Sequence, residues 1–278
     1  MPGPLQGRVA LVTGAGRPGG LGQAIASRLA QDGAAVMLHD RGSTSGSIAP
    51  AHGVGTSDDL AGVARLIADA GGTVETVTGD LMAETAIEAI VAATVARFGR
   101  LDILVNNAGI GYLFGPLVDV KAEDLDAVLG VNLRAVVLAT KFAARQMIAQ
   151  GGGGRIINIA SQAGKSGFAL ATAYVASKHG VVGFTRAAAL ELGTHGITVN
   201  AICPNHVTTG LGAWQNDFVS KARGQSVDDY LADMRARIPL GRVGKPDDTA
   251  AAAAFLCSDQ AAYITAESMN VSGGEEYH

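Results

Sequence analysis

Short aliphatic and β-branched runs alternate with longer amphipathic runs from the N-terminus onward, and this alternation constrains the fold more than any other feature. Residues 8–13 have the pattern of a strand, residues 22–31 that of a helix, which Gly33 ends, and residues 34–40 that of a second strand. Such alternation is typical of βαβ units, which build a parallel sheet. The strand segments tend to be apolar throughout, so we expect helices on both faces of the sheet.

The same rhythm continues to the C-terminus. Further strands are predicted at residues 73–78, 102–106, 155–161, 197–202 and 268–272, and the most distinct further helices at 83–98, 123–150, 173–192 and 247–257. The sequence therefore predicts an α/β fold with a seven-stranded parallel sheet. Ligands bind such sheets at the carboxyl ends of the strands, near the point where the strand order reverses.

Two segments interrupt the rhythm. Residues 42–55 are rich in Gly, Ser, Thr and Ala, and we interpret them as a loop inserted after the second strand. Thr56 or Ser57 then caps a helix whose first turn contains two aspartates, the charge that a helix N-terminus favours. Residues 210–238 contain no clear strand and include the only tryptophan, Trp214. A segment of this length is often a lid or binding loop, so we expect a substrate loop here.

Length and composition restrict the classes of protein to consider. The 278 residues contain no Pro-rich or charged linker, which favours one domain over residues 1–278. A hydrophobic content of 48% and a charged content of 17% indicate a large buried core. The net charge of -4 gives no reason to expect nucleic acid or an anionic membrane as partner. No apolar run approaches the ~20 residues of a membrane span.

The cysteines and histidines carry two further expectations. The chain has two cysteines, Cys203 and Cys257, and two free thiols in a chain of this length fit a reducing compartment. We therefore expect a cytoplasmic protein. No cluster of His, Cys and Asp has the spacing of zinc ligands, so metal chemistry is not indicated.

A glycine-rich segment, Thr-Gly-Ala-Gly-Arg-Pro-Gly-Gly-Leu-Gly, joins the first strand to the first helix at residues 13–22. Glycines allow a sharp turn and let the backbone approach a pyrophosphate, which the amides at the helix start then face. This context between a strand and a helix is what a dinucleotide site requires. The predicted contacts from this loop are Gly14, Arg17, Gly20, Leu21 and Gly22.

Asp40 indicates which dinucleotide is bound. It ends the second strand, 18 positions after Gly22 (40 minus 22), close to the ~20 residues expected for an acid that binds ribose hydroxyls. A carboxylate there repels the 2′-phosphate of NADP. Arg41 and Arg17 oppose this reading, since an arginine near the ribose can serve a 2′-phosphate. We expect repulsion by the nearer carboxylate, Asp40, to outweigh attraction by the two arginines, so NAD is favoured over NADP.

Tyr174 and Lys178 lie four positions apart in a predicted helix, which places both on one face. A free tyrosine has a pKa near ~10, too high for a general base at neutral pH. A nearby ammonium favours the phenolate, so Tyr174 can take the proton from a substrate hydroxyl. Ser161 ends the fifth predicted strand, 13 positions earlier (174 minus 161). Its hydroxyl can donate a hydrogen bond to the reacting oxygen.

The chain resembles the short-chain dehydrogenase/reductase family over nearly its whole length. Six motifs in family order carry the similarity, among them the glycine loop and the sequence Asn-Asn-Ala-Gly at residues 106–109. The others are Asp80-Leu81, similar to the adenine-contacting pair; Asn132 in Gly-Val-Asn-Leu; Ser161, Tyr174 and Lys178; and residues 204–209, similar to the turn that holds the nicotinamide.

The resemblance implies a doubly wound (Rossmann) sheet and a homotetramer or dimer, with the helices that contain Asn132 and Tyr174 at an interface. It implies Asn132, Ser161, Tyr174 and Lys178 as the catalytic residues, with Asn132 helping to hold a proton-relay water. The cofactor contacts implied by it are Asp80, Leu81, Asn107, Ala108, Gly109, Tyr174, Lys178, Pro204, Val207 and Thr209.

The sequence also departs from the family pattern. Five residues separate Gly14 from Gly20 where the family usually has three, so we expect the loop to bulge. Asn205 replaces a usual glycine after Pro204, Ala266 replaces a glycine, and Ser272 replaces an aspartate.

The function that we predict is reversible oxidation of a secondary alcohol with NAD. Two alternatives stay open: an NADPH-dependent ketone reductase, and a dinucleotide-binding scaffold protein without turnover. Nothing in the sequence identifies the alcohol, which we expect to be a small molecule. The candidate substrate contacts, by position, are Tyr112, Gln162, Phe168, His206 and Trp214.

Overall fold

A seven-stranded sheet forms the centre of the protein. The computed structural model describes residues 3–43, 55–111 and 114–278. All six neighbouring strand pairs are parallel, in the order β3-β2-β1-β4-β5-β6-β7. The strands are β1 Val9–Thr13, β2 Ala35–Asp40, β3 Val74–Thr78, β4 Ile103–Asn106, β5 Gly154–Ile159, β6 Ile197–Pro204 and β7 Ser268–Val271. The predicted fold class is confirmed.

Helices cover both faces of this sheet. They are α1 Leu21–Gln31, α2 Ser57–Asp69, α3 Glu84–Phe98, α4 Ala122–Leu129, α5 Ala135–Gln150, α6 Thr172–Leu192, α7 Gly210–Ala222, α8 Val227–Arg237 and α9 Pro246–Cys257. Alternate residues of β1 enter different cores, because side chains of a strand point to opposite faces. Ala10 and Val12 pack with α1, α2 and α9, whereas Leu11 packs with α3, α5 and α6.

The strand order reverses between β1 and β4. From β1 the chain builds β2 and β3 on one side, and β4 to β7 on the other. The loops that leave β1 and β4 therefore diverge and open a crevice at their carboxyl ends, where such sheets bind ligands. The residues of the predicted dinucleotide site follow these strand ends.

The helix predicted at residues 123–150 is interrupted. A π-helical turn, Gly130–Arg134, lies between α4 and α5 and contains Asn132. By length and composition the stretch Ala122–Gln150 could cross a membrane, with a mean hydropathy of 1.5 in its most apolar window. However, 61% of that window is buried inside the fold, as in the core helix of a globular protein.

Most of residues 210–238 lie in the helices α7 and α8, so the expectation of a loop there is corrected. Thr209 caps α7 by accepting a hydrogen bond from the Gly212 amide, and Ser226 caps α8 in the same way. Gly224, with a φ of 65°, turns the chain between the two helices. The helical pattern is weak in the sequence because this pair buries few of its residues. Of the inserted segment 42–55, residues 44–54 lie outside the described residues.

We predict that Gly22→Ala lowers the free energy of unfolding by about 1–3 kcal/mol, the usual cost of overpacking. A Cβ at Gly22 would lie 2.4 Å from the Gly14 carbonyl oxygen and 2.6 Å from Asn107 Nδ2. Gly62→Ala is the matched control, because no atom lies within 4 Å of its Cβ position in α2. It should stabilise the protein by about 0.5–1 kcal/mol. Urea unfolding measures both, and an unchanged midpoint for Gly22→Ala would contradict the prediction.

Candidate active site

The glycine loop joins β1 to α1 and leaves the N-terminus of α1 open. The two extra residues of the loop form a turn in which the Gly20 amide donates to the Arg17 carbonyl at 3.1 Å. Pro18 and Gly19, with a φ of 68° at Gly19, suit the centre of a type II turn. Gly20 caps α1 without any side-chain hydrogen bond, and no acidic residue lies in the first turn. The amides of that turn can therefore receive a phosphate.

Asn107 holds the glycine loop against the end of β4. Its Nδ2 donates to the carbonyl oxygens of Thr13 and Gly14, both at 2.9 Å. In return, Thr13 Oγ1 accepts from the amides of Asn107 and Ala108, both at 3.1 Å. The Asn-Asn-Ala-Gly motif thus fixes the two sides of the crevice relative to each other.

Asp40 lies at the carboxyl end of β2, beside the glycine loop. Its Oδ2 accepts from the Gly16 amide at 2.8 Å, and its Oδ1 accepts from the Arg41 amide at 2.7 Å. An ionised carboxylate has about four acceptor positions, so each oxygen retains capacity for a ribose hydroxyl. The close fit to Gly16, where a Cβ would lie 2.9 Å from Asp40 Oδ2, was not evident from the sequence.

Both arginines near the glycine loop, Arg17 and Arg41, have carboxylates nearby. Burial lowers the pKa of the Arg17 guanidinium, and the charges of Asp40 and Asp59 oppose that shift. Arg41 Nε lies 3.8 Å from Asp80 Oδ2. Asp59 lies in α2 and completes a capping box with Thr56, which confirms Thr56 as the helix cap. Negative charge therefore balances the positive charge in the area next to Asp40.

A cavity of about 200 Å³ lies over these strand ends. Its polar groups suit a dinucleotide, since the open N-terminus of α1 can receive a phosphate and the Asp40 carboxylate a ribose hydroxyl. The residues predicted from the sequence that line it are Gly14, Arg17, Gly20, Leu21, Gly22, Asp40, Asp80, Leu81, Asn107, Ala108, Gly109 and Thr209.

Tyr174 and Lys178 lie one turn apart near the start of α6, and both are buried. Lys178 Nζ donates to the Ile159 carbonyl at the end of β5, at 2.9 Å, and lies 5.7 Å from the centre of the Tyr174 ring. Burial lowers the pKa of Lys178 to about 8, and the Cys203 thiol opposes the shift. The ammonium is therefore mostly retained at neutral pH and favours the phenolate of Tyr174.

Ser161 lies two residues beyond β5. Its Oγ accepts from the Ala163 amide at 3.1 Å and starts a short 3-10 turn. A hydroxyl that accepts through its oxygen keeps its hydrogen for donation. Ser161 and Tyr174 both line a second cavity, of about 550 Å³.

Asn132 is fully buried in the π-helical turn, and its side chain bonds to both Ile110 and Ser177. We call this set of contacts the Asn132 brace. Its Oδ1 accepts from the Ile110 amide at 2.8 Å, and its Nδ2 donates to the Ile110 carbonyl at 2.9 Å. The same Nδ2 donates to Ser177 Oγ at 3.2 Å, and Ser177 Oγ donates to the Tyr174 carbonyl at 2.7 Å. The loop after β4 is thereby connected to the helix that carries Tyr174.

The second cavity adjoins the first, because Leu21 and Thr209 line both. Among the residues predicted from the sequence, it is also lined by Gln162, Phe168, Pro204, His206 and Val207. Trp214 is not a lining residue. It stacks instead on Phe114 and Phe218, with ring centres 5.9 and 5.4 Å away. These two phenylalanines do line the cavity. Tyr112 lies outside the described residues.

Several lining residues were not named from the sequence, although those in α7 and α8 lie in the segment 210–238 that was expected to contact substrate. They come from α7, α8 and the C-terminal segment, and include Phe218, Tyr230, Met234, Arg237 and Glu275. For Glu275, the available sequence signal was the unusual asparagine at position 205. Its Nδ2 donates to Glu275 Oε2, and Arg237 Nε donates to Glu275 Oε1 at 3.3 Å. Among the described residues, no group of His, Cys, Asp and Glu could hold a metal ion.

Comparisons with known proteins agree with this geometry. The family profile described as enoyl-(acyl carrier protein) reductase matches residues 14–276. A short-chain dehydrogenase/reductase of Armillaria gallica is 40% identical over 97% of this chain and 96% of its own length.

Two solved structures are similar throughout. Carveol dehydrogenase from Mycobacterium avium in complex with NAD has a TM-score of 0.91 and 32% identity, covering 98% of this chain and 99% of its own. A variant of actinorhodin polyketide ketoreductase with NADPH has a TM-score of 0.88 and 38% identity, covering 100% of both chains. Because the similarity extends over nearly the whole chain in both sequence and structure, the chain belongs to the short-chain dehydrogenase/reductase family of oxidoreductases.

Proposed function

We propose that this protein reversibly oxidises a secondary alcohol to a ketone with NAD. The observation that carries the proposal is the buried Lys178 ammonium, 5.7 Å from the ring of Tyr174, where that ring lines a cavity adjoining the dinucleotide site. A phenol beside a buried cation, on the wall of a pocket, is suited to act as a general base.

The residues of the site divide the chemistry between them. Tyr174, as the phenolate, takes the proton of the substrate hydroxyl, and Ser161 donates a hydrogen bond to the same oxygen. Lys178 stabilises the phenolate by its charge, while its bond to the Ile159 carbonyl holds the ammonium in place. Asn132 keeps α6 in register through Ser177. When bound, the oxidised nicotinamide supplies the acceptor for the hydride that leaves the carbinol carbon.

The charges around Asp40 support NAD over NADP. A 2′-phosphate would lie close to the Asp40 carboxylate, which the Gly16 and Arg41 amides hold in place. Arg17 is near Asp40 and Asp59, and so is not a strong partner for another anion. Repulsion from Asp40 then outweighs the attraction of the neighbouring guanidinium groups.

The other expectations from the sequence remain predictions: a single domain over residues 1–278, a cytoplasmic location and a homotetramer or dimer. Both cysteines are free and buried, which is compatible with a reducing compartment. The two alternative functions are outcomes of the experiments below. Preference for NADPH would favour a ketone reductase, and bound NAD without turnover of any alcohol would favour a scaffold protein.

We predict that Tyr174→Phe lowers kcat by about 10²–10⁴-fold, the usual contribution of a general base, while NAD binding stays largely intact. The ring remains to pack against its neighbours, and only the hydroxyl is lost. Tyr263→Phe is the matched control, because the Tyr263 side chain is fully exposed. The assay follows NADH absorbance with a panel of sugar alcohols, cyclic alcohols, steroids and 3-hydroxyacyl thioesters. Retained turnover in Tyr174→Phe would exclude the mechanism.

We predict that the buried Lys178 makes the free energy of unfolding increase as the pH rises from about 7.5 to about 9.5. In the unfolded chain its pKa is near 10.5, against about 8 in the folded protein. Between these values the unfolded chain binds more protons, so the free energy of unfolding rises with pH. Relative to Lys178→Met, the wild type should gain about 2 kcal/mol between pH about 7.5 and about 9.5. Urea unfolding without nucleotide measures this.

The control for that experiment is Lys121→Met, at an exposed position. Its unfolding free energy should follow the wild type across the same pH range. Parallel curves for the wild type and Lys178→Met would show that the ammonium is not buried as described.

We predict that the wild type binds NAD more tightly than NADP in isothermal titration. In Asp40→Asn, the dissociation constant for NADP divided by that for NAD should fall at least about tenfold. Removing the charge removes the repulsion of the 2′-phosphate, whereas the amide oxygen can still accept from Gly16. Asp58→Asn, at an exposed position of α2, should leave the ratio as in the wild type. Equal or tighter binding of NADP by the wild type would overturn the assignment of NAD.

A further inference from the structure

His206 is a buried polar side chain in the wall of the substrate cavity. The residue is 7% exposed, it lines the cavity, and its Nε2 has no hydrogen-bond partner. Buried polar atoms in native proteins are nearly always paired, and each exception needs an explanation. A ligand atom in the cavity that pairs with the ring is one such explanation.

The backbone around His206 is firmly held, so the ring has a defined place. Its carbonyl accepts from the Gly244 amide at 3.0 Å, and Thr208 N donates to the Gly244 carbonyl at 3.2 Å. The N-terminus of α7 packs against the same turn, since a Cβ at Gly212 would lie 2.2 Å from the Val207 carbonyl oxygen and 3.7 Å from His206 Cε1. The side chain therefore belongs to a rigid part of the cavity wall.

The imidazole is neutral at neutral pH. Burial lowers the pKa of His206, and the charge of Glu275 opposes this shift only in part. Both oxygens of Glu275 are already engaged, by Asn205 and by Arg237. A neutral ring has one nitrogen that donates and one that accepts, so it suits a hydroxyl or a carbonyl oxygen better than an anion.

Part of the surrounding wall is apolar, and polar side chains such as Gln215, Arg237 and Glu275 line the rest. Phe114 and Phe218 stack on each other with ring centres 4.9 Å apart, and both line the cavity. Phe168, Leu170 and Met234 also line it. The volume of about 550 Å³ lies within the range of small-molecule pockets, which combine apolar walls with a few placed polar groups. The aromatic and aliphatic side chains of this wall suit an apolar part of the substrate, such as a hydrocarbon ring.

We propose that His206 is a specificity-determining residue, and that it binds a second oxygen function on an alcohol that also has an apolar body. This inference rests on the proposed function, because it names the substrate class of the same site. The reacting hydroxyl lies at Ser161 and Tyr174, and the second oxygen lies at the His206 ring. Selectivity arises because a substrate without the second oxygen leaves the buried ring unpaired.

The first test compares substrates on the wild-type enzyme. The probes are cyclohexanol, the 1,2-, 1,3- and 1,4-cyclohexanediols, and the open-chain hexitol sorbitol, with kcat/KM measured for each in the presence of NAD. We expect the best diol isomer to exceed both cyclohexanol and sorbitol at least about tenfold. A preference for sorbitol would overturn the apolar part of the proposal, and equal values for diol and cyclohexanol would overturn the role of His206.

The second test assigns the selectivity to the side chain. In His206→Phe, the ratio of kcat/KM for the best diol to that for cyclohexanol should fall at least about tenfold. His206→Gln, which keeps a donor and an acceptor, should recover part of the ratio. His195→Phe is the matched control, since His195 is exposed and lies just before β6, whereas His206 lies just after it. An unchanged ratio in His206→Phe would contradict the proposal.

A binding measurement separates this inference from the proposed function. Trp214 is the only tryptophan of the chain and stacks on two residues of the cavity wall, so its fluorescence reports occupancy without turnover. In Tyr174→Phe with NAD present, where turnover is removed, the diol should bind at least about tenfold more tightly than cyclohexanol, and adding His206→Phe should remove the difference. If the wild type oxidises no alcohol but this difference is found, the proposed function fails and the role of His206 stands. Equal affinities overturn the role of His206, whatever the turnover.

Discussion

The bond from Lys178 Nζ to the Ile159 carbonyl is the contact on which the rest of the site depends. A buried ammonium is costly unless it is hydrogen-bonded, and the Ile159 carbonyl provides an acceptor at the end of β5. The bond fixes α6 at the edge of β5. The position of Tyr174 follows from it, since one helical turn separates the two side chains. Among the described residues no carboxylate pairs with Lys178, so the field of the buried charge acts on the phenol.

A second set of bonds prevents α6 from sliding relative to the strands. Asn106 Nδ2 donates to Asn158 Oδ1 at 2.8 Å between β4 and β5, and Asn158 Nδ2 donates to Thr185 Oγ1 in α6 at 2.9 Å. Together with the Asn132 brace, these contacts connect α6 to both central strands. All these polar groups are buried, so a shift of the helix by one residue would leave several unpaired at once. Buried polar groups that do not line the second cavity thus hold Tyr174 and Lys178 in position.

Much of this arrangement could be predicted from the sequence, and the reason is local. Strands of a parallel sheet tend to be apolar throughout and are therefore recognisable in the sequence. The predicted site residues lie at the ends of these strands or at the starts of helices: the glycine loop, Asp40, Ser161 and Tyr174. Their positions in the sequence therefore determine their places in the crevice. The parts that could not be predicted depend on contacts between distant segments. Glu275 enters the site only because the C-terminal segment folds back beside β6.

The departures from the family pattern therefore have a physical meaning at the substrate end. A glycine at position 205 would provide no side chain to hold Glu275, whereas Asn205 donates to its carboxylate. Arg237 completes the pairing from α8. This set ties the end of β6, the α7–α8 pair and the C-terminal segment together around His206, while the catalytic pair on α6 is built from different bonds. Substitutions in this set can thus change the shape of the second cavity without moving Tyr174 or Lys178.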